Sequence, residues 1–445
     1  MVLENPFSRS TRLFERELWT PARVSAAAKS EALQLLILTQ FFPPDFAATG
    51  QLIEELSVQL GRQGVDVSVF TGQPGYAYAK DSAPDVERKE NVWVKRSRVS
   101  QMFANRIRGK AISGVLYTVR AIAHLARNSK RYQVLLVTTA PPFLSVIAYL
   151  ANIFFKLPYV CLLYDLYPDI AVELGVVKAN HPIAKFWRSL NREIWRRSSG
   201  IIVLSDSMKE RIVDHCPQVS EKVSVIHSWS DDQKITPIEK KDNWFAKKHN
   251  LVEPFVVLYS GNMGRCHDIN TIFEAAKLLR NEPVLFVCIG GGAKRNQLID
   301  LVAKYSLNNF RFLPYQEKSV LPYSLTASDV SLVSVAEGME SLVAPSKLYS
   351  AMATGLPILA VCPSSSYLNT LIGEAAVGKT FVNGAAQDLA DYILYLSQHK
   401  EKVKSMGCSG RVYMQNHFTP GIISLQYLDA LKEAVDSTML SCIEV

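Results

Sequence analysis

The sequence lacks several features, and each absence removes a class of chemistry. Its seven cysteines are scattered from Cys161 to Cys442 with no Cys-x-x-Cys pair. Zinc-ribbon and thioredoxin-like sites therefore have no ligand set, and the cysteines read as core residues of a reducing compartment. No Gly-x-Gly-x-x-Gly follows the first apolar run, Leu33–Leu38, which argues against a nicotinamide-dependent dehydrogenase. The first thirty residues carry Glu15 and Glu17 and have no apolar core of a leader peptide, so no secretory signal is expected. Low-complexity tracts and internal repeats are also missing. Charge is absent from Tyr132 to Phe155, a run of 24 residues that is long enough to cross a bilayer. Pro141-Pro142 interrupts it, and the 13 residues Phe143–Phe155 are too few to span. A buried helix of an α/β fold is expected there, with partial membrane contact as the lesser alternative.

What the chain does contain is an ordinary globular composition, 48% hydrophobic and 20% charged over 445 residues, enough for two to three domains. The net charge of +8 is unevenly placed. Arg88–Arg131 holds twelve Lys/Arg against the single acid Glu90, a balance of +11, which leaves the rest of the chain at −3. Such a field attracts anionic lipid headgroups or pyrophosphate-linked acceptors, and a solvated basic helix face is the bland alternative. No nucleic-acid reading module occurs in the segment, so nucleic acid is not expected as a partner.

Apolar runs bounded by turn residues alternate with helical periodicity along most of the chain. Strands are expected at Leu33–Leu38, Val65–Phe70, Val92–Val94, Val134–Val137, Tyr159–Leu163, Ile201–Leu204 and Val223–Ile226. A second series lies at Phe255–Tyr259, Leu285–Ile289, Phe310–Phe312, Val330–Val333, Ile358–Val361 and Thr380–Val382. Strand–helix–strand units of this kind specify parallel sheets. The expected organisation is an N-terminal arm at 1–32, a Rossmann-like domain at 33–235 and a linker at 236–253. A second Rossmann-like domain follows at 254–420, and a C-terminal helix at 421–445 could fold back on the first domain.

The most informative stretch is residues 345–357, Pro-Ser-Lys-Leu-Tyr-Ser-Ala-Met-Ala-Thr-Gly-Leu-Pro. A polar turn opens a helix of two turns, Gly355 stops it, and Pro357 starts a buried strand. Ser346, Lys347, Leu348 and their backbone N–H groups thus stand at a helix N-terminus, which favours an anion. The order and spacing of Pro345-x-Lys347 before Ala-Met-Ala-x-Gly-x-Pro resemble the donor-binding segment of family 4 glycosyltransferases, which have the GT-B fold of two Rossmann-like domains facing across a cleft. An ordinary α/β crossover is the alternative for this segment alone.

Further segments extend the resemblance over residues 33–420. Tyr259-Ser-Gly261-Asn262-Met-Gly264-Arg265-Cys266-His267 resembles the family's first donor-domain loop, with Asn262 and His267 near the positions that commonly carry an Arg and a Lys for the diphosphate, and Arg265 as the substitute. Gly290-Gly291-Gly292 between a strand and a helix would allow close approach of a base or phosphate, with relief of packing as the alternative. Many members carry two Glu with seven residues between them, whereas here the second position is Ser350 and the first, eight positions back, falls on Leu342. Glu337 and Glu340 are the available acids, and Ser350 is left to meet a ribose hydroxyl. This departure resembles the colanic-acid and O-antigen branch of bacterial surface-polysaccharide transferases. In Tyr164-Asp165-Leu166-Tyr167-Pro168, Tyr164 takes the place of the family's frequent His, and Asp165 is either near the reacting centre or the cap of the next helix. Gly50 fits the family's glycine loop on the acceptor side.

The resemblance implies a retaining hexosyltransferase that needs no metal. A UDP- or GDP-linked sugar would bind mainly to the second domain, and a glycan or lipid-linked hydroxyl to the first. Asp165, Glu337 and Glu340 would be the catalytic candidates. The site would be cytoplasmic, peripheral on the inner face of the cytoplasmic membrane through residues 88–131. Two alternatives share the architecture, a nucleotide-sugar epimerase and a non-catalytic partner of a transferase.

Overall fold

A computed structural model describes residues 32–45, 47–74, 83–97, 107–139 and 141–443, with the side chains of 107–114 and 439–443 excepted. The expected arm, except residue 32, and the basic residues Arg98 and Arg106 lie outside the described residues. Two parallel sheets dominate. The first contains β1 (Gln34–Leu38), β2 (Asp66–Gly72), β3 (Val86–Lys89), β4 (Val92–Ser97), β5 (Val134–Thr138), β6 (Tyr159–Leu163), β7 (Gly200–Val203) and β8 (Val223–Val225). The second contains β9 (Phe255–Ser260), β10 (Val284–Ile289), β11 (Phe310–Leu313), β12 (Val330–Ser334), β13 (Ile358–Val361) and β14 (Gly378–Phe381).

Contacts divide the chain into two compact units. One is Met1–Leu162 with Arg197–Gly200 and Leu428–Val445, and the other is Leu163–Arg196 with Ile201–Tyr427. In the first unit the strands run β3-β4-β2-β1-β5-β6. β1 is paired in parallel with both β2 and β5, and it is buried from Leu35 to Leu38 because helices cover both faces of such a sheet. Each of those side chains contributes roughly 1.5–3 kcal/mol by leaving water. Tyr117, on the helix Ile107–Asn128, donates its hydroxyl to the carbonyls of Thr39 and Phe70, both at 2.9 Å, and so ties that helix to the ends of β1 and β2. β3 was not legible: Val86-Glu-Arg-Lys89 is too polar to read as a strand. It pairs antiparallel with β4 at the sheet's edge, where one face meets water.

The helix Leu144–Phe155 corrects a further expectation. It buries Leu144, Ile147, Ala148 and Ala151 and leaves Phe154 72% exposed, with Phe143 and Phe155 exposed as well. A helix with aromatic residues at both ends has more apolar surface than one sheet face can cover.

In the second unit β7 and β8 pair in parallel, and the other sheet has the order β11-β10-β9-β12-β13-β14. Its core joins Val257, Phe286, Leu332 and Leu359 from the strands to Ile272, Phe273 and Ile393 from the helices. Numbered within this sheet the order is 3-2-1-4-5-6, the doubly wound arrangement, whose direction reverses between β9 and β12. The expected boundary at 236–253 does not coincide with the division by contacts. Residues 163–196 group with the second sheet because Leu166 N–H donates to Leu342 O at 3.3 Å and Asp165 forms a β-bridge with Val343.

Candidate active site

Ligands of a doubly wound sheet bind beyond the carboxyl ends of the strands where the order reverses. Here the segments after β9 and β12 meet at that point. Lys347 opens the helix Lys347–Ala353. Its ammonium donates to Tyr259 Oη at 2.6 Å and lies 4.0 Å from the Tyr259 ring centroid. A longer contact of 3.4 Å reaches Asn262 O, to which the Tyr259 hydroxyl also donates at 3.2 Å. Burial lowers the Lys347 ammonium from its usual value to about 7. The charge is thus held under-solvated, which increases its affinity for an anion.

His267 bridges the two segments. Its Nδ1 lies 2.7 Å from Ser334 O. A carbonyl only accepts, so Nδ1 carries the proton and Nε2 presents a lone pair. Burial first, then the charges of Lys347 and Lys294, push the imidazole down to about 3, so the ring is neutral at physiological pH. Lys294 donates to His267 O at 2.6 Å. Asp268 accepts from Thr271 and Asn383 and is a structural cap.

Two of the glycines hold one loop against another. Gly290 has φ +127°, and a Cβ there would lie 2.3 Å from Gly261 O. Gly292 has φ +123°, and its Cβ would lie 2.4 Å from Asn262 Oδ1. Met263 N–H donates to Gly291 O at 2.6 Å. The two glycine loops are pressed backbone to backbone, and this fixes the loop that carries Asn262, Arg265 and His267. Arg265 is exposed and free to reach solvent. Leu348 is fully buried and its N–H donates to Pro345 O, so it offers the site no side chain. Ser346 makes no side-chain cap. Ser350 Oγ donates back to Lys347 O at 3.1 Å.

The acids separate. Glu337 is exposed. Glu340 accepts from Ser365 Oγ at 3.1 Å, and its backbone carbonyl accepts from Ser207 Oγ at 2.9 Å. Asp165 is half-buried on the segment that follows β6, a strap laid against Val343, close enough to Cys266 to raise its thiol's pKa after burial has done so. Burial alone raises the Asp165 carboxyl to about 6. It caps no helix: the residue preceding the helix Asp169–Glu173 is Pro168. Tyr164 is buried in the core. Gly50 lies in the other unit, where a Cβ would sit 3.0 Å from the Phe41 backbone, so glycine is needed for that loop's close approach. Sequence reasoning missed Tyr259 and Ser334. The signal was a polar-tipped residue at the carboxyl end of each central strand.

A family model for glycosyl transferases group 1 matches residues 240–412, and one for glycosyltransferase family 4 matches residues 49–234. The chain is a family 4 glycosyltransferase of the GT-B fold. The probable glycosyltransferase WbjE of Pseudomonas aeruginosa is 28% identical over 62% of this chain and 68% of its own length. The putative colanic acid biosynthesis glycosyl transferase WcaI of Escherichia coli is also 28% identical, over 39% of this chain and 43% of its own. HepE of Anabaena, solved in complex with UDP-glucose, superposes with a TM-score of 0.67 at 15% identity, covering 90% of this chain and 99% of HepE. Among the described residues no group of His, Cys, Asp or Glu could hold a metal ion, and no helix is long and apolar enough to cross a membrane.

Proposed function

We propose that this transferase moves a hexose from a nucleotide diphosphate-sugar to a hydroxyl of a glycan or lipid-linked acceptor, with retention at the anomeric carbon. The observation that carries the reading is the under-solvated Lys347 ammonium at the reversal between β9 and β12. A diphosphate there replaces the lysine's tyrosine contact with a full ion pair, and exposed Arg265 supplies a second cation. UDP is the favoured nucleotide because HepE, of the same fold, binds UDP-glucose.

In the transfer the bond from the anomeric carbon to the β-phosphate oxygen breaks while the acceptor oxygen bonds to the same face. The acceptor proton passes to the departing phosphate oxygen. Negative charge grows on that phosphate, and Lys347 and Arg265 stabilise it more strongly in the transition state than before it. The neutral His267 accepts a hydrogen bond from a sugar hydroxyl through Nε2, and Ser350 faces the ribose. Asp165, on the strap beside Cys266, holds the acceptor hydroxyl, and Glu340 and Glu337 stand on the sugar's side.

Attachment to an anionic membrane surface is part of the reading. Lys95, Arg127 and Arg131 lie close enough together that the two arginines add to burial in lowering the Lys95 ammonium. Val115, Val119 and Ile122 stand exposed on the helix Ile107–Asn128. Basic and apolar residues together suit a headgroup boundary.

The test is hydrolysis of UDP- and GDP-sugars without acceptor. One donor should be slowly cleaved by the wild type and left intact by Lys347→Ala. Interconversion of sugars, or inertness toward every donor, would sink the proposal.

A further inference from the structure

A second cationic site lies on the strap that carries Asp165. Beyond Leu166, the segment Tyr167–Asp169 forms one wall of a narrow cleft lined by Arg188, Arg192, Arg211 and His215. Asp169 is buried at its floor. Its carboxylate meets Arg188 Nε at 2.8 Å, His215 Nε2 at 3.0 Å and Arg211 Nε at 3.4 Å. Burial would raise the Asp169 carboxyl, but hydrogen bonds from His215 and Arg188 outweigh it and bring it to about 2. One fixed negative charge therefore faces three guanidinium groups, with a surplus of two positive charges before any protonation of His215. No ion pair holds Arg192 among the described residues, and it is exposed at the rim. Trp195, Tyr167 and Pro168 supply apolar walls that lower the local dielectric. The free space inside is about 10 Å³, room for one water, so an anion would sit at the mouth, where Arg192 and Arg211 reach solvent.

We infer that this cluster binds a phosphate or diphosphate group of the acceptor, a second anion site separate from the one at Lys347. Asp165 and Asp169 are four residues apart, so the proposed acceptor-hydroxyl contact at Asp165 and the cluster are joined by at most about 14 Å of chain. The hydroxyl to be glycosylated and the phosphate that identifies the acceptor are thus read by one segment. Guanidinium forks suit phosphate oxygens, and two surplus charges match a diphosphate. The inference rests on the proposed transferase reading for the word acceptor, while the anion site itself stands apart from it.

The experiment uses the full chain bearing Lys347→Ala and Arg265→Gln, so that the donor side contributes little. Inorganic diphosphate is titrated by calorimetry at fixed ionic strength, before and after adding Arg192→Gln or Arg211→Gln. Each added change should weaken binding about tenfold, and sulfate at equal ionic strength should not compete. Arg192→Gln breaks no ion pair, so a melting curve like the parent's shows that folding is not at issue. Vesicles containing phosphatidylglycerol form a second arm. Loss of diphosphate binding with vesicle binding unchanged supports the site and assigns it to a substrate phosphate. Loss of both supports the site and assigns it to a lipid headgroup. Diphosphate affinity that is untouched by either arginine change overturns the inference. UDP titration of the wild type tests the donor reading separately: failure there would leave the cluster result standing.

Discussion

Replacing Lys347 by alanine removes one cation from the reversal of the second sheet. The contact it makes with a donor diphosphate is charge-assisted and worth about 1.5–3 kcal/mol, so the dissociation constant for UDP should rise roughly ten- to a hundredfold. The lysine's low proton affinity sharpens the test. With the ammonium brought to about 7 by burial, most of the free protein carries a neutral amine at pH 8. A bound diphosphate favours the ammonium, so binding at pH 8 should draw in most of a proton, and affinity should fall as pH rises above 7. Calorimetry in two buffers of different ionisation enthalpy reads that uptake directly. At pH 6 the amine is already charged, so wild type and Lys347→Ala should show nearly the same proton exchange. The reasoning is refuted if Lys347→Ala binds UDP as the wild type does, or if the mutant shows the same proton uptake at pH 8.

Asp165→Asn should cut kcat heavily. Because the carboxyl is raised from its usual value to about 6, its ionisation opposes folding above that pH, so at pH 7.5 the variant should be about 1–3 kcal/mol more stable than the wild type, a gain that vanishes at pH 4. A lower melting temperature with normal kcat would assign Asp165 a structural role. Ser350→Ala removes only a bond within its own helix turn, so donor KM should rise while the melting temperature stays within a degree or two; an unchanged KM places the ribose elsewhere. Gly292→Ala forces a Cβ to 2.4 Å from Asn262 Oδ1 and 2.6 Å from the Met263 backbone, and should cost more than about 3 kcal/mol with loss of UDP binding. The wild type should co-sediment with anionic vesicles at low salt and be released at high salt; indifference to vesicles at low salt removes the membrane from the proposal.

The sheets were legible because parallel strands covered on both faces leave uninterrupted apolar runs, and β6 and β13 occur where those runs stand. Pro345-x-Lys347 was legible because a helix start and a lysine are local features. The polar edge strand β3 was not, since its pairing comes from β4 and not from its own residues. Nor was the strap: nothing local tells that Leu166 will hydrogen-bond Leu342, 176 positions away. What Gly290 and Gly292 meet was not legible for the same reason. Glycine announces that something approaches closely, and only the fold tells that it is another loop.

That loop-against-loop contact bears on how the enzyme can change. Where main chain rests on main chain, as Gly290 does on Gly261, every mutation adds atoms to a space that has none to spare. Selection for a new donor cannot work through Gly290 or Gly292, and a library randomised at those two positions should return glycine almost every time. Glu337 is exposed and has no such restriction, whereas Gly338 beside it, at φ +79°, has. New sugar preferences should therefore arise at 337, on a floor that stays the same in every descendant.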